Sequence, residues 1–411
     1  MSHADSQTQA AYNEMRTQWS FPEGVTNLNH GSFGASPMIV RQNKQEWSHL
    51  LESNPMDFFV RELENHLDHA AEKLGKFVGA PAKDLIFVGN ATDGMNILAT
   101  SLEFESGDEI LFSDHEYGAV VRIWRRVCKK TGAIPVFAQT PCPVTSTDEF
   151  VDAIFEKATD RTKLLVVSHI SSPTAIVFPV AEICRRAKER KIPVCIDGPH
   201  AIAMLPLNIQ ELNCDFYTAS CHKWLCAPFG SGFLYVAPKW QQKMQPAVLS
   251  WGRSVSGRQT NWKDEFHWTG THDPSANLAI PAAIEFLTDY GLENFRKVTH
   301  QNAQYFRQRM QETTGLPALV PDSPDWYGSM IAMPIPNHDV EPPPNGKRDP
   351  LQDALWEKYK IEIPVLHWQG QRLIRCSCHL YNSRTEIDLL MQALKELPGA
   401  ITTPWPQERE S

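Results

Sequence analysis

The sequence predicts an α/β protein with a largely parallel seven-stranded sheet sandwiched by helices, plus a small α+β C-terminal domain. Between residues 80 and 238, short apolar runs alternate with amphipathic stretches, which is typical of a sheet with helices on both faces. Several of these runs are almost continuously apolar, as strands buried on both faces are. The predicted strands are residues 85–88, 109–113, 134–138, 164–168, 193–197, 216–219 and 232–237.

The stretches between these strands carry helical periodicity. For example, Val180, Ile183, Cys184 and Ala187 fall on one stripe, and charged residues lie off it. An apolar stripe of this kind lets a helix pack on a sheet while its other face stays in water. The pattern therefore predicts helices that connect parallel strands.

The C-terminal part has a different pattern. Residues 282–312 predict helices, and residues 334–350 form a proline-rich loop or insertion. A helix (351–359), a strand (373–377) and a last helix (384–397) follow. We therefore divide the chain into an N-terminal segment (1–40) that joins the small domain and the active-site entrance, a large cofactor-binding domain (41–285) and a small C-terminal domain (286–411).

Composition and charge exclude several classes of protein. The formal net charge is −9 and there is no long basic run, which argues against nucleic acid or an anionic membrane as a partner. The first twenty residues lack the apolar core of a signal peptide, and no stretch approaches the ~18 apolar residues of a membrane span. Nine cysteines, an odd number and mostly within apolar runs, indicate reduced thiols. The expected class is a cytoplasmic enzyme.

Two residues at the ends of consecutive predicted strands carry the main chemical signal. Asp197 ends one strand and Lys223 follows the next, beside the apolar Trp224. Ligands of open α/β sheets bind beyond the carboxyl ends of strands, and an apolar setting favours a neutral lysine amine. A lysine that forms a Schiff base and an acid that pairs with a pyridinium nitrogen are what pyridoxal 5′-phosphate (PLP) chemistry needs. Taken singly, Lys223 also fits an ordinary surface lysine, and Asp197 also fits an ordinary helix-capping or loop acid.

Three further positions fit a PLP site. His200 can stack on the cofactor ring or bond its phenolic oxygen, although a buried structural histidine is the alternative. Thr92 lies at the start of a predicted helix, where small residues and a hydroxyl can bind phosphate, although such residues also serve as ordinary N-caps. Tyr117 follows another strand and can cover the face of the ring. The sequence lacks Gly-x-x-x-x-Gly-Lys-Ser/Thr and Gly-x-Gly-x-x-Gly, which argues against an NTPase or a dinucleotide enzyme.

A charged residue lies within a predicted strand of the small domain. Arg375 interrupts the apolar run 373–377, where a guanidinium is best explained by a bidentate carboxylate partner. That carboxylate belongs either to the substrate or to an internal salt bridge. The neighbouring Cys376, Cys378 and His379 lack a second ligand pair at a suitable spacing, so no metal site is predicted.

These residues resemble the class V aminotransferase superfamily of fold-type I PLP enzymes, and within it the isopenicillin N epimerase-like branch. The resemblance covers roughly residues 27–381. Its most specific motif is Asp197 together with Ser220, His222 and Lys223, and the segments 27–34, 90–92 and 114–117 point to the branch.

The resemblance implies a role for each matching residue. The implied roles are Lys223 as the Schiff-base lysine and the proton shuttle at the substrate α-carbon; Asp197 as the partner of the pyridine nitrogen; Ala91, Thr92, Ser220 and His222 as phosphate ligands; Tyr117 as the stacking ring; Arg375 as the α-carboxylate ligand; and Asn29 and His30 as residues on the substrate side of the pocket.

The segment 268–273 resembles the part of the superfamily that reaches the phosphate of the neighbouring subunit. This implies a homodimer with active sites at the interface and with Thr271 acting in trans. Two positions depart from the family pattern, Pro199 and Ala175, where smaller residues are usual. A persulfide-forming cysteine desulfurase would need a cysteine shortly before Arg375, and residues 365–374 contain none.

We expect removal of the α-proton of an amino acid, or of an amino-acid-bearing substrate, by Lys223. Reprotonation on the opposite face would give epimerisation, loss of a β-substituent would give a C–S lyase, and protonation at the cofactor carbon would give transamination. A non-catalytic dimeric scaffold is a distant alternative, because all the cofactor residues are present. Side-chain selectivity is expected to depend on Phe33, residues 326–327 and the proline-rich loop.

Overall fold

The computed structural model describes residues 14–336, 343 and 347–401. Predicted features at residues 1–13, 337–342, 344–346 and 402–411, including most of the proline-rich loop, lie outside this part of the chain. The described strands are β1 (Thr26–Asn27), β2 (Leu85–Val88), β3 (Glu109–Ser113), β4 (Ile134–Ala138), β5 (Thr162–Ser168), β6 (Val194–Asp197), β7 (Phe216–Ser220), β8 (Gly232–Val236), β9 (Met330–Ile335), β10 (Ile361–Glu362), β11 (Val365–Trp368) and β12 (Gln371–Ser377).

The helices of the described chain fall into long and short ones. The long helices are Met38–Ser53, Leu63–Val78, Ala91–Ser101, Gly118–Thr131, Thr147–Phe155, Val180–Glu189, Ile280–Tyr290, Leu292–Thr314, Pro350–Tyr359 and Arg384–Glu396. Short helical turns lie at Pro55–Asp57, Phe58–Glu62, Ala82–Asp84, Ile209–Leu212, Pro238–Lys243, Asp264–His267 and Ser275–Leu278.

The large sheet has seven strands in the order β2-β8-β7-β6-β5-β3-β4. Only β8 runs against its neighbours, so the prediction of a largely parallel seven-stranded sheet is confirmed. All seven predicted strands are present, and their ends differ by at most two residues.

The direction of the strands brings the predicted site residues to one edge. In β6, Asp197 is the register partner of Ser168 in β5 and of Thr218 in β7. The segments after β2, β3, β5, β6 and β7 all leave the sheet at this carboxyl edge, where open α/β sheets bind ligands.

Each face of the large sheet is covered by helices. One face carries Ile86, Ile110 and Leu234 and packs against Met95 and Trp124 of helices Ala91–Ser101 and Gly118–Thr131. The opposite face belongs to a larger apolar core that continues into the small domain. Burial of both faces explains why the strand sequences are so continuously apolar.

The small domain contains a three-stranded antiparallel sheet in the order β11-β12-β9. The sequence predicted β12 but missed β9 and β11, and the predicted loop from residue 334 begins later because β9 continues to Ile335. Pro334 within β9 obscured that strand, since proline disfavours a central strand. Because β9 is at the edge of the sheet, the missing N–H of the proline is tolerated there.

The N-terminal segment spans both domains. Strand β1 pairs with β10 of the small domain, and Ser36 donates a hydrogen bond to the backbone oxygen of Ala227, just beyond β7. The predicted boundary after residue 285 falls within helix Ile280–Tyr290, and the next helix starts after Gly291. No helix in the described ranges is long and apolar enough to cross a membrane.

Candidate active site

Lys223 lies three residues beyond the end of β7, at the carboxyl edge of the large sheet. Its Nζ is 3.2 Å from Nε2 of His200, and its backbone oxygen is 2.9 Å from Nε2 of His30. Gly34 packs directly on this backbone, since a Cβ built there would be 2.6 Å from the Lys223 carbonyl oxygen. The backbone of Lys223 is therefore fixed by His30 and Gly34, and its amine is fixed by His200.

The surroundings of Lys223 favour its neutral form. Burial and, to a smaller extent, the Arg375 guanidinium lower the pKa of its amine to about 8, although Asp197 partly opposes them. A neutral amine is the form that can attack an aldehyde or accept a proton.

Asp197 is the last residue of β6 and is buried. Burial raises the pKa of its carboxyl to about 7, and the nearby Lys223 partly offsets this effect. A positively charged ring nitrogen beside it would stabilise the carboxylate, because an opposite charge at short range favours the ionised form.

His200 lies between Lys223 and Trp224. The indole Nε1 of Trp224 donates a hydrogen bond to Nδ1 of His200 at 3.2 Å. Burial holds the pKa of His200 well below its usual range, and the charges of Lys223 and Arg375 act in the same direction. His200 is therefore a neutral imidazole at physiological pH.

A group of polar atoms surrounds the start of helix Ala91–Ser101. Asn90 caps the helix by accepting a hydrogen bond from the Asp93 backbone N–H at 3.0 Å, and Ser220 accepts one from the Ala91 N–H at 2.9 Å. Nδ1 of His222 is buried and has no hydrogen-bond partner among the described residues. The positive end of the helix and an unused imidazole nitrogen together suit an anion such as phosphate.

These segments enclose a cavity of about 390 Å³. Tyr117 and Phe33 line it and are both exposed, Phe33 to 75%. The lining residues are Ser32, Phe33, Asn90, Ala91, Thr92, Asp93, Tyr117, Val120, Ser168, Ile170, Ser172, Asp197, Pro199, His200, Ser220, His222 and Lys223.

Arg375 of β12 does not itself line this cavity, but it contacts two residues that do, Ser32 and Ser172. Its guanidinium donates to the backbone and side-chain oxygens of Ser172 and, at 3.0 Å, to Oγ of Ser32. No acidic side chain pairs with it in the described part of the chain, and its buried Nε has no partner there. The alternative of an internal salt bridge therefore finds no support among the described residues, and the guanidinium can donate hydrogen bonds to the carboxylate of a ligand.

The structure places Asn29 and His30 outside the cavity lining. Asn29 accepts a hydrogen bond from Ser32 at 2.6 Å and so lies behind the serine that contacts Arg375. His30 is fully buried, with its Nδ1 2.8 Å from the Tyr381 hydroxyl and its Nε2 at the Lys223 backbone oxygen. Both residues contact residues at the cavity from behind, and their predicted role on the substrate side stays a prediction.

Two other expected positions also lie away from the cavity. Thr271 is exposed and does not line it within one chain. Trp326 and Tyr327 are buried in the core, and the Tyr327 hydroxyl donates to Asp322. Among the positions expected to set side-chain selectivity, only Phe33 therefore lines the cavity in the described structure.

Sequence reasoning missed Glu116. Its carboxylate accepts hydrogen bonds from Ser113 Oγ at 2.6 Å and from Ser168 Oγ and N at 2.7 and 3.1 Å. Burial raises the pKa of this carboxyl to about 8, and the charge of Asp197 adds to the increase. Its position three residues after the end of β3, beside Tyr117, was the available signal.

The residues at this edge fit PLP. The cavity is lined by a buried acid, by an amine that is readily neutral, and by His222, which offers an unpaired nitrogen near a helix N-terminus. These match the needs of a pyridine nitrogen, an aldehyde and a phosphate.

Comparisons with known proteins agree with this geometry. Curated relatives of this chain include the isopenicillin N epimerase of Amycolatopsis lactamdurans, 34% identical over 94% of this chain and 98% of the relative. A putative L-cysteine desulfhydrase 1 of Oryza sativa subsp. japonica is 26% identical over 93% of this chain and 86% of the relative. Among solved structures, the apo cysteine desulfurase of Thermococcus onnurineus NA1 superposes with a TM-score of 0.76 at 18% identity, over 93% of this chain and 97% of that one.

The solved structure establishes the fold, and the family model establishes the family. The model for aminotransferase class-V matches residues 36–390, most of the chain. The fold is accordingly that of fold-type I PLP enzymes, and the cofactor is pyridoxal 5′-phosphate. The chain belongs to the class V aminotransferase family.

Proposed function

We propose that this protein acts at the α-carbon of an amino acid or an amino-acid-bearing substrate, as an isopenicillin N epimerase-like enzyme in which Lys223 removes the α-proton. The observation that carries the proposal is a buried amine that lines the cavity together with a buried guanidinium that contacts the cavity residues Ser32 and Ser172. Lys223 supplies an amine with a lowered pKa, and Arg375 supplies a guanidinium that no described carboxylate neutralises. Lys223 can accept a proton while Arg375 binds the carboxylate of the same substrate.

The cofactor residues take the following roles in this proposal. Asp197 would pair with the pyridine nitrogen, Tyr117 would stack on the ring, and His200 would lie at the lysine side. The phosphate would be held by Ala91, Thr92, Ser220 and His222. When bound, PLP supplies an electron-accepting ring that stabilises negative charge at the α-carbon.

The pocket geometry supports a base that works close to neutral pH. His200 contacts Nζ of Lys223 at 3.2 Å, and His30 holds the Lys223 backbone oxygen at 2.9 Å. A proton acceptor fixed at both ends loses little freedom when it meets the α-carbon. Arg375 orients the substrate by its carboxylate, which leaves the α-proton as the group to be presented to Nζ.

A C–S lyase is the second candidate function. It is favoured by the similarity to a relative named as a putative L-cysteine desulfhydrase. The same proton removal by Lys223 would serve both reactions, and the difference lies in whether a β-substituent leaves. Transamination on the same scaffold is the third outcome.

Proton NMR in heavy water tests these alternatives. PLP-loaded protein is incubated with a panel of L-amino acids that includes cysteine. Loss of the α-proton signal with the amino acid otherwise intact, followed by appearance of the D-form in chiral analysis, is the expected result. Pyruvate, with sulfide from cysteine, would assign the protein to the lyases, and a keto acid with amino-form cofactor would assign it to the aminotransferases.

A pair of lysine variants makes this test specific. Lys223→Ala should lose α-proton exchange by about 10² to 10⁴-fold, the usual contribution of a positioned base. Lys239→Ala is the matched control, because Lys239 is an exposed lysine whose amine contacts Asp215 at 2.6 Å, away from the cavity. Exchange by the Lys223 variant at a rate near that of the wild type would refute the proposal.

We also propose a homodimer with Thr271 acting in trans. Large apolar side chains are exposed on the single chain, among them Leu249 (83%) and Trp251 (62%), and exposed apolar patches commonly mark interfaces. Mixing Lys223→Ala with Thr271→Ala subunits should restore about a quarter of the wild-type activity, since half of the dimers are mixed and one of their two sites is intact. No recovery would place Thr271 in its own subunit's site.

A cytoplasmic location completes the proposal. All nine cysteines are free thiols, and eight of them are buried. Thiols stay reduced in the cytosol, whereas oxidising compartments favour disulfides.

A further inference from the structure

We propose that Trp224 is a positioning residue whose indole N–H fixes the tautomer of His200, so that His200 presents an N–H donor to Nζ of Lys223 and holds this amine in its proton-accepting form. The inference deepens the proposed function, because it rests on Lys223 as the base. The tautomer itself is a property of the folded protein and can be measured without any turnover.

The first step concerns the indole. Nε1 of Trp224 lies 3.2 Å from Nδ1 of His200, and both side chains are buried. An indole nitrogen can only donate a hydrogen bond. Nδ1 of His200 must therefore be the acceptor, which means that it carries no proton.

The second step concerns the other ring nitrogen. A neutral imidazole with an unprotonated Nδ1 carries its proton on Nε2. Nε2 of His200 is the nitrogen that lies 3.2 Å from Nζ of Lys223. The contact is consistent with a hydrogen bond only if Nζ accepts, and an ammonium group has no lone pair with which to accept. The geometry thus selects the neutral amine.

The charges around His200 exclude the doubly protonated ring. Lys223, Arg375 and His30 all disfavour a positive charge on it, and burial does so most strongly. Asp197 is the acidic group that favours protonation of Lys223, while Arg375 opposes it. The Trp224–His200 pair therefore disfavours protonation of Lys223, as Arg375 does, and opposes Asp197, which favours it.

Nitrogen NMR of the full-length protein with ¹⁵N-labelled histidine rings tests the tautomer directly. His200 is assigned by the signal that is lost in His200→Gln. We expect Nδ1 to give the signal of an unprotonated nitrogen and Nε2 that of a protonated one, in the cofactor-free and the PLP-loaded protein. A proton on Nδ1, or on both nitrogens, would overturn the inference even if the enzyme is active.

Trp224→Phe tests the consequence for Lys223, because it removes the N–H and keeps an aromatic ring. The readout is the pH dependence of the rate at which cofactor-free protein captures PLP, followed by absorbance. Loss of one net hydrogen bond corresponds to about a fivefold smaller neutral fraction of the Lys223 amine. Capture of PLP at pH 7 should therefore slow by about fivefold. The midpoint of the pH profile of capture should move to higher pH.

Trp240→Phe is the matched control. The indole of Trp240 also donates a partly buried hydrogen bond, to Asp215 at 2.8 Å, but Trp240 does not line the cavity. An unchanged capture profile is expected for this variant. Equal profiles for the wild type and Trp224→Phe would refute the positioning role. Failure of α-proton exchange with every amino acid, combined with the expected tautomer, would instead count against the proposed function alone.

Discussion

Arg372 and Arg375 are three residues apart in β12, yet only Arg372 is paired with a carboxylate in the described structure. The Arg372 guanidinium donates to both oxygens of Asp349, at 2.8 and 2.6 Å, and both side chains are buried. Arg375 donates only to hydroxyl and carbonyl oxygens. The strand thus carries one arginine that stabilises the small domain and one that remains available for a ligand.

The first prediction concerns Arg375. Replacement by Gln should raise KM for an amino-acid substrate by about 10- to 100-fold, because charge-assisted hydrogen bonds to the substrate carboxylate are lost. Steady-state kinetics measure this effect, and the thermal midpoint should hardly change. A variant with unaltered KM would show that the carboxylate binds elsewhere.

The second prediction concerns Arg372. Arg372→Ala should lower the free energy of unfolding by about 3–5 kcal/mol, because the buried Asp349 would lose its guanidinium partner and keep only the contacts to His367 and to the Leu351 N–H. Denaturant unfolding of the PLP-loaded protein measures the loss. Arg375→Gln is the comparison, and equal destabilisation of the two variants would contradict the division of roles.

The third prediction is a pH dependence set by Glu116. Its pKa of about 8 in the folded protein lies above the usual value of 4.5, so the folded state keeps a proton that the unfolded chain has lost. Stability from this group is therefore present at low pH and decreases as the pH rises from about 4.5 to 8. Glu116→Gln cannot titrate, so its stability relative to the wild type should improve over this window, on the order of 1 to 3 kcal/mol. Thermal or urea unfolding at pH 5 and pH 8 checks the sign, and a constant difference between the proteins would refute it.

The fourth prediction concerns the close approach of Gly34 to the Lys223 segment. A Cβ at position 34 would be 2.4 Å from the His222 backbone oxygen and 2.6 Å from that of Lys223. Since backbone atoms cannot move aside cheaply, Gly34→Ala should cost about 1–3 kcal/mol and weaken PLP retention. Gly118→Ala is the control, because a Cβ there meets nothing within 4 Å. Full PLP occupancy and unchanged stability in Gly34→Ala would contradict the packing argument.

The large sheet and its catalytic edge could be predicted from sequence because their signals are local. Apolar runs give strands, and Asp197 and Lys223 lie next to strand ends that parallel pairing brings together. The placement of His30 could not be predicted, because it depends on Tyr381, 351 residues further along the chain. Strand β9 was hidden by Pro334 for a related reason, since only its edge position makes the proline tolerable.

The burial of the thiols has a consequence for the fate of sulfur. Cys376 and Cys378 are fully buried next to Arg375 in sequence, and Cys142 is the only one of the nine cysteines that is not buried. It does not line the cavity. If the enzyme cleaves a C–S bond, no cysteine of the chain is placed to capture the departing atom, and the sulfur leaves with the product as a diffusible species instead of staying on the protein.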